Sequence, residues 1–137
     1  MSVQQANAVW QGTLKSGKGV MKYGEIEGPF TFASRFETGP GTNPEELVGA
    51  AHAGCYSMFL SALLSEKGFN PNINTQAKVH LGEENGPKIT HIELDSKVSA
   101  EGLEVKLLQE LGALAKEKCP ISRLFSGAEI SLTLTLV

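Results

Sequence analysis

Basic character is missing from this 137-residue chain: twelve Lys and Arg stand against fifteen Asp and Glu, a net charge of −3. That balance cannot supply the phosphate contacts on which non-specific nucleic-acid binding rests, so no nucleic-acid partner is expected. The first residues, MSVQQANAVW, lack the basic and apolar segments of a secretory signal, and a complete, cytoplasmic chain is expected. Cysteine is scarce. Cys55 and Cys119 are the two present, 64 residues apart, and in a reducing compartment such a pair is redox-active, metal-binding or merely buried rather than a permanent staple. Low-complexity tracts, repeats and long linkers are absent. So are P-loop, GxGxxG, GxSxG and HExxH patterns, which leaves nucleotide binding and serine or zinc hydrolysis without support. What remains, with 41% hydrophobic residues, fifteen glycines and six prolines, is ordinary globular composition. The length is below the roughly 250 to 300 residues at which cores split, so one domain over 1–137 is expected.

Short Gly, Pro and Asn clusters divide the chain into elements. Ala6–Thr13, Gly19–Tyr23 and Phe30–Phe36 alternate as short strands of an antiparallel meander. In the last of these, Phe30, Phe32 and Phe36 share one face, and period-2 alternation sends Arg35 to the other. Further on, Ile73–Leu81 and Lys88–Val98 read as a hairpin joined through Gly82–Pro87. A helix follows, with Leu107, Leu108, Leu111, Leu114 and Ala115 on one stripe, ending at Cys119-Pro120. Ile130, Leu132, Leu134 and Leu136 make a terminal strand. The order β-β-β-α-β-β-α-β describes an α+β protein with mostly antiparallel sheet.

The middle of the chain is a long helix with a strong start. Asn43 is the predicted N-cap, Pro44 takes the first helical position and Glu46 the capping-box position, while Gly68 supplies the left-handed stop. Charge is lacking here too: from Leu47 to Leu64, 18 residues pass without an Asp, Glu, Lys or Arg. A membrane span needs about 20 predominantly apolar residues, but Gly49, His52, Gly54, Ser57 and Ser61 dilute this run and its N-terminal side has no basic flank. No membrane partner is expected. A helix with no charged stripe needs cover on most sides, and a chain this short covers one side at best. A second copy is the simplest lid, so an obligate homodimer is expected.

Five residues on and around this helix can carry chemistry. Cys55 sits mid-helix, where apolar surroundings raise a thiol pKa above about 8.5 and leave the sulfur inert unless a cation is near. Arg35 is one of two arginines and could hold the sulfur as thiolate. On its strand face it points away from the helix, so it serves a partner's site or the strand breaks just before it. Glu46 could orient the arginine, yet nine residues place it half a turn out of phase with Cys55 and about 13.5 Å away along the axis. Either the helix breaks near Gly49 or the site is completed by another chain. Cys119 is expected on a turn, less buried than Cys55, capping a short Pro120–Leu124 helical turn. A resolving role needs its Cα within about 7 Å of that of Cys55. His52, three residues before Cys55, is a base, a ligand or a satisfied core histidine, and the three residues supply no usual zinc spacing. The plain alternatives are a packing thiol at Cys55, a solvated Arg35, a local cap at Glu46 and a chance cysteine at Cys119.

The run Phe32-Ala33-Ser34-Arg35-Phe36-Glu37, then Gly41-Thr42-Asn43-Pro44-Glu45-Glu46-Leu47 through His52-Ala53-Gly54-Cys55-Tyr56-Ser57-Met58, with Lys118-Cys119-Pro120-Ile121-Ser122 later, closely resembles the OsmC family of bacterial thiol peroxidases, relatives of the organic hydroperoxide resistance proteins. The resemblance spans essentially the full length and looks closer to the OsmC branch, although Gly17–Pro29 is shorter than in typical relatives. It implies an OsmC-like fold packed on the long apolar helix, in an intertwined homodimer with sites at the subunit interface. It implies Cys55 as reactive cysteine, Cys119 as resolving cysteine, and Arg35 and Glu46 as their polar partners.

On that resemblance the expected reaction is reduction of organic hydroperoxides, and of hydrogen peroxide. Cys55 thiolate is oxidised to sulfenic acid, Cys119 condenses with it to a disulfide, and a dithiol, a dihydrolipoyl protein being a candidate, reduces it. No metal, flavin or haem is required. Met58, Phe59 and the aromatic strand would suit alkyl substrates or are plain core. The rival from another class is a non-catalytic dimer, a redox sensor or hydrophobic-ligand binder.

Overall fold

The computed structural model describes residues 2–137. The order is β1 (Ala6–Gln11), β2 (Lys18–Tyr23), β3 (Ile26–Phe30), α1 (Phe32–Phe36), α2 (Pro44–Glu66), β4 (Asn72–Glu83), β5 (Pro87–Ser99), α3 (Val105–Lys118), α4 (Pro120–Leu124) and β6 (Glu129–Leu136). The predicted α+β order is present, with the short α1 added and the predicted Pro120–Leu124 turn present as α4. The chain divides into two compact units, Met1–Leu47 and Val48–Val137.

In the first unit β1, β2 and β3 form an antiparallel meander. Trp10 tilts against Phe30 with ring centroids 5.3 Å apart, the kind of cross-sheet aromatic contact that stabilises a small sheet. Residues 30–36 correct the sequence expectation. The strand ends at Phe30 and Phe32–Phe36 is helical, so Arg35 is not a strand residue at all. The cause is local hydrogen bonding. Thr31 Oγ1 accepts from the Ser34 N–H at 3.1 Å, and Ser34 Oγ accepts from the Thr31 N–H at 2.8 Å. Each side chain thereby satisfies a backbone donor of the other, which outweighs the strand preference of the phenylalanines.

α2 begins as predicted: Asn43 Oδ1 accepts from the Glu46 N–H at 2.8 Å, and Pro44 opens the helix. It ends where Gly68, at φ +91°, takes the left-handed conformation, and the Phe69 N–H returns to the Leu64 carbonyl at 3.1 Å. The helix passes Gly49 without a break. By length and a mean hydropathy of 1.5 it could cross a membrane. On one face Tyr56, Leu60 and Leu64 are fully buried with Ile92, Leu94, Val98 and Leu108 in the core of the second unit. A bare strip remains: Ala51, Gly54, Met58 and Ala62, at helical spacing, are exposed.

The second sheet has order β4-β5-β6. β4 and β5 are the predicted antiparallel hairpin, with a register shift at His80/Leu81, whereas β5 and β6 run parallel. The chain reaches β6 through α3 and α4, and a crossover of that length lets a strand return in the same direction.

Candidate functional site

The polar candidates of the first unit gather at the start of α2. Arg35 lies on α1 and donates from Nε to both carboxylate oxygens of Glu45 at 3.1 Å, and from Nη2 to Oε1 at 2.6 Å. Its guanidinium carbon lies 5.1 Å from the Phe36 ring centroid. A carboxylate fork on one side and an aromatic face on the other hold the group in place. The partner is therefore Glu45 and not the predicted Glu46, whose carboxylate accepts the Thr42 hydroxyl at 2.9 Å. One residue on a helix is a rotation of about 100°, enough to hand the arginine to the neighbour. Asn43 ties the corner together, donating from Nδ2 to the Ser34 carbonyl at 2.9 Å.

The second unit brings the cysteines together. Both are free thiols. Cys55, mid-α2, is partly buried, and Cys119 is its neighbour. Burial raises the Cys55 thiol pKa above its usual value, and Cys119, as a competing thiol and a competing charge, adds to the rise. Only the Ile121 N–H pulls the other way. Met58 and Phe59, three and four residues on, share the Cys55 side of the helix. Met58 is 78% exposed, whereas Phe59 packs against the core.

Cys119 caps α4 as predicted: its sulfur accepts from the Ser122 N–H at 3.3 Å. The expectation that it would be less buried than Cys55 is wrong, because Cys119 is 0% exposed. The turn lies inside the unit, between α3 and α4, instead of on its surface. Sequence reasoning missed Ser122. Its hydroxyl lies 3.1 Å from Cys119 Sγ and 2.7 Å from Nε2 of the fully buried His52. The available signal was its position three residues after a capping cysteine. Burial holds His52 below the usual imidazole pKa. Next along α2, Tyr56 donates to the Gly112 carbonyl at 3.2 Å, and its phenol pKa is pushed far up, by burial first.

One set of possible metal donors was also missed. His80, His91 and Glu93 lie within 4.8 Å of one another. Within the set His80 Nε2 pairs with the Glu93 carboxylate, His91 Nε2 bonds to the Ser131 hydroxyl, and the three residues belong to β4 and β5, away from both cysteines in sequence.

The family model described as OsmC-like protein matches residues 37–135. Peroxiredoxin OsmC of Escherichia coli is 42% identical over 134 residues, 94% of this chain and 93% of that protein. Among solved structures, an OsmC-like protein of unknown function from Vibrio cholerae superposes with a TM-score of 0.82 at 18% identity, covering 98% of this chain and 99% of that one. The organic hydroperoxide resistance protein OhrB of Bacillus subtilis superposes at 0.64 with 25% identity, covering 97% and 98%.

Proposed function

The chain belongs to the OsmC-like family, and from that premise we propose that it is a thiol-dependent peroxidase acting on organic hydroperoxides. The observation that carries the proposal is the pair of neighbouring free thiols, one partly open and one sealed. The relatives' names, a peroxiredoxin and an organic hydroperoxide resistance protein, support the reaction class and the substrate.

In the proposed cycle the Cys55 thiolate attacks the terminal peroxide oxygen. The O–O bond breaks, the sulfur becomes sulfenic acid, and the alkoxide leaves with a proton as alcohol. Cys119 attacks the sulfenic sulfur, releasing water and forming a disulfide, which a dithiol reduces. Everything acting on Cys55 within the second unit except the Ile121 N–H disfavours the thiolate, so the cycle needs a cation. Arg35, oriented by Glu45, supplies it in an assembled homodimer, and also stabilises charge on the departing oxygen. The bare strip Ala51, Gly54, Met58 and Ala62 supports that assembly, because apolar helix surface is stabilised by cover. Met58 and Phe59 then flank an alkyl substrate. A cycle that starts from two thiols suits the cytoplasm.

The test is turnover. With excess hydroperoxide and dithiothreitol, the wild type should run many cycles. Cys55→Ser should lose activity by roughly 10⁴-fold or more, as removal of a nucleophile does. Cys119→Ser should keep the first oxidation and accumulate sulfenic or over-oxidised Cys55. One stoichiometric oxidation without recycling would replace the enzyme with a redox sensor.

A further inference from the structure

Behind Cys55 runs a chain of polar groups that this cycle leaves without a role. Ser122 meets the Cys119 sulfur twice: the thiol donates to its hydroxyl oxygen at 3.1 Å, and its backbone N–H donates to the sulfur at 3.3 Å. The hydroxyl oxygen also lies 2.7 Å from His52 Nε2. His52 and Cys119 are 0% exposed and Ser122 is 5% exposed.

The other ring nitrogen decides the direction of this chain. His52 Nδ1 has no hydrogen-bond partner among the described residues, and the Phe125 ring meets the imidazole edge-on at 5.6 Å. Of the two neutral tautomers, one buries an orphaned N–H and the other an orphaned lone pair. The orphaned donor is the rarer and costlier of the two, so the proton belongs on Nε2. His52 then donates to Ser122 Oγ, and once Cys119 loses its proton the hydroxyl hydrogen is free to turn to the sulfur. A neutral thiol accepts such bonds weakly, whereas a thiolate accepts them strongly.

We propose that Ser122 is a catalytic donor to the Cys119 sulfur and His52 its positioning residue, and that together they make Cys119 the leaving thiolate when the disulfide is reduced. The inference rests on the peroxidase cycle above. Exposure gives the same direction, since Cys55 is partly open and Cys119 is sealed. The reductant's thiolate forms a bond to Cys55 Sγ. The bond to Cys119 breaks, and its electron pair stays on Cys119 under the two Ser122 donors. The second thiolate of the reductant then attacks its own half of the mixed disulfide and expels Cys55. The dithiol is thereby oxidised by two electrons, and its two protons pass through solvent to the two protein sulfurs. Donors beside the departing sulfur stabilise the charge that develops on it as the bond breaks. In the oxidising direction the same donors hold the thiolate that attacks the sulfenic sulfur, and the displaced hydroxide takes up a proton to leave as water.

The test uses the full-length protein and resolves three phases by stopped flow: oxidation by a hydroperoxide, disulfide formation, and reduction by dithiothreitol. Ser122→Ala and His52→Leu should each slow disulfide formation and reduction about tenfold relative to the oxidation phase, the effect of losing one hydrogen bond to a charged group. The Ser122→Ala potential should become more reducing by about 30 mV, the equivalent of tenfold for this two-electron couple. His52→Gln keeps a donor toward Ser122 and should recover most of both losses, which a purely structural role would not produce. If His52→Leu does not fold, Ser122→Ala, a one-atom deletion, carries the test. Quenched single turnover with a monothiol should place the mixed disulfide on Cys55. Variants with wild-type reduction rates and potential, or a mixed disulfide on Cys119, would overturn this inference alone. A wild type that forms no Cys55–Cys119 disulfide would overturn the peroxidase cycle with it.

Discussion

The two units place their candidate reactive groups differently. In the first, Arg35 stands in water, gripped by Glu45, and all six residues of β1 are exposed, Val9 and Trp10 included. In the second, His52, Ser96 and Ser122 are buried beside a closed apolar core and are hydrogen-bonded there. Charge is therefore kept where solvation makes it cheap, and the thiols where a charge is costly. A thiolate chemistry draws on both. Both units leave apolar surface uncovered, Val9 and Trp10 in the first and Met58 in the second. A homodimer would satisfy both needs at once, and the contrast between the units can be attacked at that point.

The largest effect is expected from charging the bare strip. Met58→Asp would place a carboxylate in the proposed interface, where an unpaired charge costs several kcal/mol, so light scattering should report monomers and peroxide turnover should vanish. A wild type that is already monomeric and fully active would end the dimer proposal. Next comes the cation itself. Arg35→Ala should slow oxidation of Cys55 by roughly 10²- to 10³-fold, the scale of a lost charge-stabilising donor. The midpoint of its pH–rate profile should move upward, because burial and Cys119 then raise the thiol unopposed except by Ile121. Glu45→Gln should produce a smaller loss in the same direction, and Glu46→Gln almost none. Equal losses at the two glutamates would contradict the geometry.

Stability separates the units more finely. Leu60→Ala empties a fully buried position of the second unit and should cost about 2–5 kcal/mol in urea unfolding. In the first unit Gly41→Ala should cost about 1–3 kcal/mol, since Gly41 has φ +108° and an added Cβ would stand 2.5 Å from the Pro29 carbonyl oxygen. If the units unfold separately, each variant should move only one of two transitions. The smallest effect is acid sensitivity. His52 is held neutral below the usual value of 6.5, so as pH falls past 6.5 the unfolded chain takes up a proton that the folded chain refuses. Stability then drops by at most about 1.4 kcal/mol per pH unit until the folded value is reached. His52→Gln should flatten that slope, and an unchanged slope would show that the histidine does not contribute to it.

Much of this was legible in the residues. Asn43-Pro44 and Gly68 mark the ends of α2 because capping is local, settled within four or five residues. The hairpin strands alternate cleanly because one face of β5 is buried. The alternation Phe30, Phe32, Phe36 misled for an equally local reason, the reciprocal bonds of Thr31 and Ser34, reinforced from outside by Ser34 Oγ donating to the Thr42 carbonyl at 2.7 Å. The choice of Glu45 over Glu46 was not legible. Both lie in the first turn of the same helix, and only the position of α1 selects between them. Nor was the burial of Cys119, since a Cys-Pro turn looks alike on a surface or beneath one.

The order of residues was enough to specify the α+β succession, the uncharged helix that carries Cys55, the capping role of Cys119 and the family to which they belong. These depend on short-range patterns of capping, alternation and motif. Folding alone decided that a histidine and a serine 70 residues apart meet at 2.7 Å, that the second cysteine is sealed, and that Glu45 holds the arginine. Each depends on which surfaces pack together in three dimensions, and no local periodicity encodes that.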